Sequence, residues 1–122
     1  HHPLRDMKPA ISHEELLGLR RAARNVKVSD AVQHYIVALT AATRERDEVV
    51  LPASPRASIS LMRVAQALSI FEERDFVVPE TVQAIAADVI AHRLVLSHDA
   101  KFSGVTARSL IAEILTSVKV PV

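Results

Sequence analysis

Apolar residues recur at helical spacing through most of this chain, and capping residues punctuate the gaps between the runs. Ser12-His13-Glu14-Glu15 has the form of a capping box, a serine followed three places on by a glutamate. Leu16, Leu17, Leu19 and Ala23 then supply one apolar side, and the spacing predicts a helix from Ser12 to about Arg24. Val26-Lys27-Val28 alternates as a short extended piece. Ser29 reads as a second N-cap, followed by Val32, Tyr35, Ile36, Leu39 and Ala42 in a stripe that fades near Arg46-Asp47. Val49 to Ser54 reads as a connection. Ser54 is placed to cap the next helix, and Pro55 falls at its first position, where a missing N–H does no harm.

From Pro55 to about Glu73 the pattern is apolar nearly all round. Ile59, Leu61, Met62, Val64, Ala65, Leu68 and Phe71 leave a thin polar strip of Ser60, Arg63 and Gln66, which places this helix at the centre of a bundle. Phe76-Val77-Val78 reads as extended, and Pro79-Glu80 opens a fourth helix with Val82, Ile85, Ala86 and Val89 on its buried side. Leu94-Val95-Leu96 has the look of a minimal buried strand. Thr106 caps a last helix that runs to Val118 through Ala107, Leu110, Ile111, Ile114 and Leu115. The expected architecture is all-α, a small bundle of about five helices with at most one minimal β pairing.

A length of 122 residues suits one domain with a real core. His1 and His2 read as the stub of a purification tag, residues 1–10 as tag and linker, and residues 11–122 as the domain; the natural protein is expected to be longer. No cysteine is present, which removes disulfides and thiolate sites and fits a cytoplasmic protein. No membrane span and no signal peptide are expected. A net charge of +1 is low for a nucleic-acid domain. Gly18 and Gly104 are the two glycines, so no glycine-rich phosphate loop fits, and Tyr35, Phe71, Phe76 and Phe102 are too few to make base-stacking platforms.

The scattered His13, His34, His92 and His98 lack metal-ligand spacing. Glu14-Glu15 favour a helix start and Glu72-Glu73 read as a solvated helix end. Ser54, Ser58 and Ser60 lack the surroundings of a nucleophile. Arg20, Arg21 and Arg24 near the end of the first helix suit its dipole, with phosphate or partner binding as the alternative. His92-Arg93 at the end of the fourth helix suits it likewise, and Arg93 could instead dock against another domain. Arg56 differs, because a cation in the first turn opposes the dipole at a cost of about 0.3–1 kcal/mol. Either it swings into solvent, or serine, free N–H groups and a guanidinium fork converge there on an anion.

The stretch Ala53-Ser54-Pro55-Arg56-Ala57-Ser58, ahead of a long apolar helix, resembles the start of the sensor-2 helix in the C-terminal lid of MoxR-family AAA+ ATPases. Upstream, Ser12 to Leu17 and Val26 to Ser29 are similar to the opening of that lid. Downstream, Arg74-Asp75-Phe76-Val77-Val78-Pro79-Glu80 resembles its R-D-Y-V-T-P-E-D segment, and His92-Arg93-Leu94-Val95-Leu96 its H-R-I/L-x-L end. The likeness runs from about Ile11 to Pro121. The resemblance implies a small helical lid that follows an α/β nucleotide-binding core lying outside this sequence. It implies a parent enzyme that binds ATP with Mg²⁺, hydrolyses it, and assembles as a hexameric ring. Such a ring would act as a chaperone in assembling or activating partner complexes, with von Willebrand factor A domain proteins as typical partners.

Under that resemblance Arg56 matches the sensor-2 arginine, with Ser54 and Pro55 beside it at the nucleotide. Its implied role is contact with the phosphates, which a guanidinium suits bidentately. Two departures stand out. Val78 occupies a position where the family usually has threonine, so the fourth helix loses a side-chain cap. The P-loop, Walker B acids, sensor 1 and arginine finger are not among these residues, so the chain alone is expected not to hydrolyse ATP and to hold nucleotide weakly. Two other functions compete: a stand-alone helical protein-interaction domain, suggested by 49% apolar content, and DNA binding through Arg20, Arg21 and Arg24, against which the near-neutral charge argues.

Overall fold

Each expected helix forms, and side-chain caps open three of the five. The computed structural model describes residues 3–122, so the tag reading of His1 and His2 falls outside the described residues. Pro3–Asp6 makes a single 3₁₀ turn with no buried residue. Helix α1 (His13–Asn25) starts at a complete capping box: Ser12 Oγ accepts from the Glu15 N–H, and Glu15 accepts from the Ser12 N–H. Helix α2 (Asp30–Ala42) is capped by Ser29 Oγ. Helix α3 (Pro55–Phe71) and helix α4 (Pro79–Ile90) each carry proline in the first turn and have no side-chain cap. For Val78 that is the expected loss; for Ser54 it corrects the expectation, since its hydroxyl makes no capping bond.

Strand β1 (Val49–Leu51) lies where a plain connection was expected. It pairs antiparallel with β2 (Val95–Leu96), Val49 opposite Leu96 and Leu51 opposite Val95, with an irregularity between. A five-residue helix, α5 (His98–Phe102), was not anticipated, being too short to show a period. Helix α6 (Ala107–Ser117) closes the chain behind a Thr106 cap. The two other extended pieces meet in a parallel bridge: Lys27 N–H donates to Asp75 O at 2.8 Å and Val77 N–H to Lys27 O at 2.9 Å.

The core gathers Leu39 from α2, Leu61 from α3, Val82 and Ile90 from α4, and Leu110 and Ile114 from α6. Helix α3 packs against α1, α2 and α4, so its central place is as expected. Its polar strip is not all solvated, however. Gln66 is buried, donating to Val26 O at 2.8 Å and Arg24 O at 3.4 Å, and so closes the carbonyl end of α1. Helix α1 itself buries no residue completely and leans on α3. Arg46, half-buried before β1, pairs with Glu113 of α6 and Glu48. The Glu113 hydrogen bond, aided by the Glu48 charge and opposed by burial, raises its pKa above the ordinary guanidinium value.

Candidate functional site

The first turn of α3 is fixed from beneath. Ala53 is 1% and Ala57 0% exposed, so the backbone on both sides of Arg56 is pressed into the core. Successive helical residues point about 100° apart, and burying Ala57 turns Arg56 outward; it is exposed. A thread of threonines locks this start to the end of α2. Thr43 Oγ1 accepts the Ala53 N–H at 3.0 Å and donates to Thr40 O at 2.7 Å. Thr40 Oγ1 donates to Val37 O at 3.0 Å and lies 2.7 Å from Ser58 Oγ. Since the Thr40 proton is spent on Val37, Ser58 is the donor in that pair.

Ser54 is extended (φ −83°, ψ 168°), and its carbonyl accepts from the Ala57 N–H at 2.8 Å. Its hydroxyl leaves the first-turn N–H groups without a side-chain partner, and no acid sits in that turn. Pro55, next to it, is exposed. Arg56 has no hydrogen bond or ion pair among the described residues. A second helix carries an arginine at the same place. Arg108 is the second residue of α6, as Arg56 is of α3, and Arg108 is compensated within the chain by Asp88 at 2.6 Å. Two helices share the unfavourable cation, and α3 is the one without an internal counter-charge.

Around Arg56 the outward face of α3 continues in apolar residues. Ile59, three places on, is 58% exposed, and with Val37, Met62 and Ile36 it lines a notch of about 160 Å³ between α2 and α3. Further along, Phe71 is 85% exposed and joins Leu16 and Leu19 of α1 beside a depression of about 250 Å³. Arg93, whose role the sequence left open, reaches α3 from the turn after α4. Its Nη2 donates to Ser60 Oγ at 3.1 Å and its Nε to Val89 O at 3.2 Å. Arg20, Arg21 and Arg24 are exposed along α1, away from the α3 start. Glu72 is not merely solvated: it accepts from Thr81 at 2.7 Å and Arg74 at 3.0 Å. Among the described residues no cluster of three or more His, Asp or Glu could hold a metal ion. No helix among them is long and apolar enough to cross a membrane.

The threonine thread was not read from the sequence, and no local signal announces it, because its partners Ala53 and Ser58 lie well along the chain from Thr43 and Thr40. Comparison with known proteins places these features in context. Residues 41–114 match the family model for the AAA lid domain. The uncharacterized protein YeaC of Bacillus subtilis is 40% identical over 121 residues, spanning 99% of this chain and 38% of its own. The chaperone MoxR1 of Mycobacterium tuberculosis is 33% identical over 123 residues, spanning 93% of this chain and 33% of its own. A crystal structure of a candidate ATPase from Cytophaga hutchinsonii superposes with a TM-score of 0.87 at 32% identity, covering 92% of this chain and 37% of that one. The chain thus spans between a third and two fifths of the length of these relatives.

Proposed function

Since the chain belongs to the AAA lid domain family, as the lid of a MoxR-type AAA+ ATPase, we propose that Arg56 is its sensor-2 arginine. In this reading Arg56 reaches out of the lid to the phosphates of ATP bound on a nucleotide-binding core encoded outside this sequence. Ser54 and Pro55 line the approach. The guanidinium stabilises the charge that develops on the phosphoryl oxygens, and its movement with the lid couples hydrolysis to a change of shape. Mg²⁺ would be held by the core.

The observation that carries this reading is the uncompensated Arg56 on a fixed helix start, beside the compensated Arg108 in the same position of α6. The apolar notch of Val37, Ile59 and Met62 takes in α3 from Ser58, two residues after Arg56, which suits a seam against the core rather than an independent patch. The wider activity follows the relatives: a hexameric cytoplasmic ring that acts as a chaperone on partner proteins, those with von Willebrand factor A domains included. The MoxR1 description supports the chaperone part alone; the hexameric ring, the cytoplasm and the von Willebrand factor A domain partners rest on the motif likeness.

The test is ATP turnover by the full-length protein. A charge-assisted hydrogen bond is worth about 1.5–3 kcal/mol, so Arg56→Ala should lower turnover about 10–100-fold and leave the melting temperature of the chain unchanged. Undiminished turnover would refute the assignment. The exposed Leu16, Leu19 and Phe71 row, at the far end of α3, favours a second role as a protein-docking surface. Charge reversal at Arg20 in that depression should then weaken partner binding by the full-length protein while its ATP turnover stays unchanged.

A further inference from the structure

Two arginines of this chain are half-buried, Arg46 and Arg93. Arg46 has the two carboxylates that a partly desolvated cation calls for. Arg93 has none within ion-pair distance among the described residues; its bonds go to a hydroxyl and a carbonyl. These use two of its five N–H donors. The hydroxyl is that of Ser60, four residues after Arg56 and therefore on the same face of α3, about 6 Å away between Cβ atoms. The chain thus holds one guanidinium, through its Nε and Nη2, against the turn that follows another, with no counter-charge for either among the described residues.

We propose that Arg93 is a second cation for the polyphosphate met by Arg56. The inference rests on the sensor-2 reading of Arg56 and extends it to a residue on a different element. A single guanidinium neutralises one edge of a polyphosphate; two, one helical turn apart, can address neighbouring phosphoryl groups. Arg56 is free to adjust, whereas Arg93 is held by Val89 and Ser60, so Arg93 supplies a fixed point. The two roles are separable, because its bonds to Val89 and Ser60 need the guanidinium shape while attraction for phosphate needs the charge.

The experiment measures ATP affinity, turnover and melting temperature in the full-length protein for Arg56→Ala, Arg93→Gln, Arg93→Met and Arg93→Lys. Arg93→Gln and Arg93→Met should each weaken ATP binding about tenfold, the second serving where the first melts too low. Arg93→Lys should stay within about threefold of the parent, although its melting temperature drops with theirs, because a lysine keeps the charge and cannot reproduce the two-point hold. If the neutral variants bind ATP like the parent while Arg56→Ala loses turnover, Arg93 is a structural staple and the inference falls alone. If Arg93→Lys binds as poorly as Arg93→Gln, charge is not the property at work, with the same consequence. If Arg56→Ala is itself without effect, the sensor-2 reading fails and takes this inference with it.

Discussion

Replacing Thr43 by valine should unlock the start of α3 while leaving its packing alone. Threonine and valine have nearly the same shape, so no cavity opens at this fully buried site. What changes is the hydroxyl. The Ala53 N–H loses its acceptor at 3.0 Å, and Ala53 is 1% exposed, so water cannot replace it. An orphaned buried donor costs about 1–3 kcal/mol. The bond to Thr40 O is lost as well, but that carbonyl also accepts from the Thr43 N–H, so its share is about 0.5 kcal/mol. The total comes to roughly 2–3 kcal/mol, a large part of the 5–15 kcal/mol typical of a domain. Urea unfolding of the chain should show a lower midpoint at unchanged slope. Thr43→Ser is the control: it keeps the oxygen, drops one methyl, and should cost no more than about 1 kcal/mol. Should valine prove no more damaging than serine, the hydroxyl is not what holds Ala53, and the account of how Arg56 is positioned is wrong.

Three further changes act on helix ends. Val78→Thr should supply the cap that α4 lacks, because Val78 already has extended backbone (φ −102°, ψ 154°); the expected gain is about 0.5–1 kcal/mol, read as a rise of a few degrees in melting temperature. The chain also leaves α3 and α5 by the same route: Arg74 N–H to Ser69 O with Glu73 N–H to Ile70 O, and Val105 N–H to Ala100 O with Gly104 N–H to Lys101 O. This is the Schellman arrangement, whose left-handed residue is Gly104 (φ 85°) in one case and Glu73 (φ 56°) in the other. Glu73→Gly should therefore stabilise by about 0.5–1 kcal/mol and Gly104→Ala should destabilise by about 1 kcal/mol; chemical denaturation that gives both the same sign would contradict the motif.

Helix ends were legible because caps are local chemistry. Ser12, Ser29 and Thr106 accept from N–H groups three residues away, and that spacing is visible in the letters alone. Ser54 looked equivalent, yet its hydroxyl does not cap: the Ala57 N–H three residues on is already taken by the Ser54 carbonyl. Features that depend on distant partners were not legible. Gln66 reads only as part of a polar strip until the end of α1 is laid across it, and Val49–Leu51 becomes a strand through Val95 and Leu96, far along the chain. The role proposed for Arg56 rests on the family likeness, since the groups that would give it a purpose are not among these residues.

Arg56 itself is exposed and unpartnered, while the structure beneath it is over-determined, and the contrast has a mechanical meaning. A cation that must meet a ligand held by another domain can transmit force only if its own helix does not yield. The thread through Thr43, Thr40 and Ser58 joins the first turn of α3 to the end of α2, and Arg93 joins the next turn to the end of α4. A pull on Arg56 is therefore delivered to two neighbouring helices within two turns, before it reaches the exposed row at Phe71. Under the role proposed for Arg56, slackening either tie while leaving Arg56 in place should weaken the coupling between nucleotide and lid along with the fold.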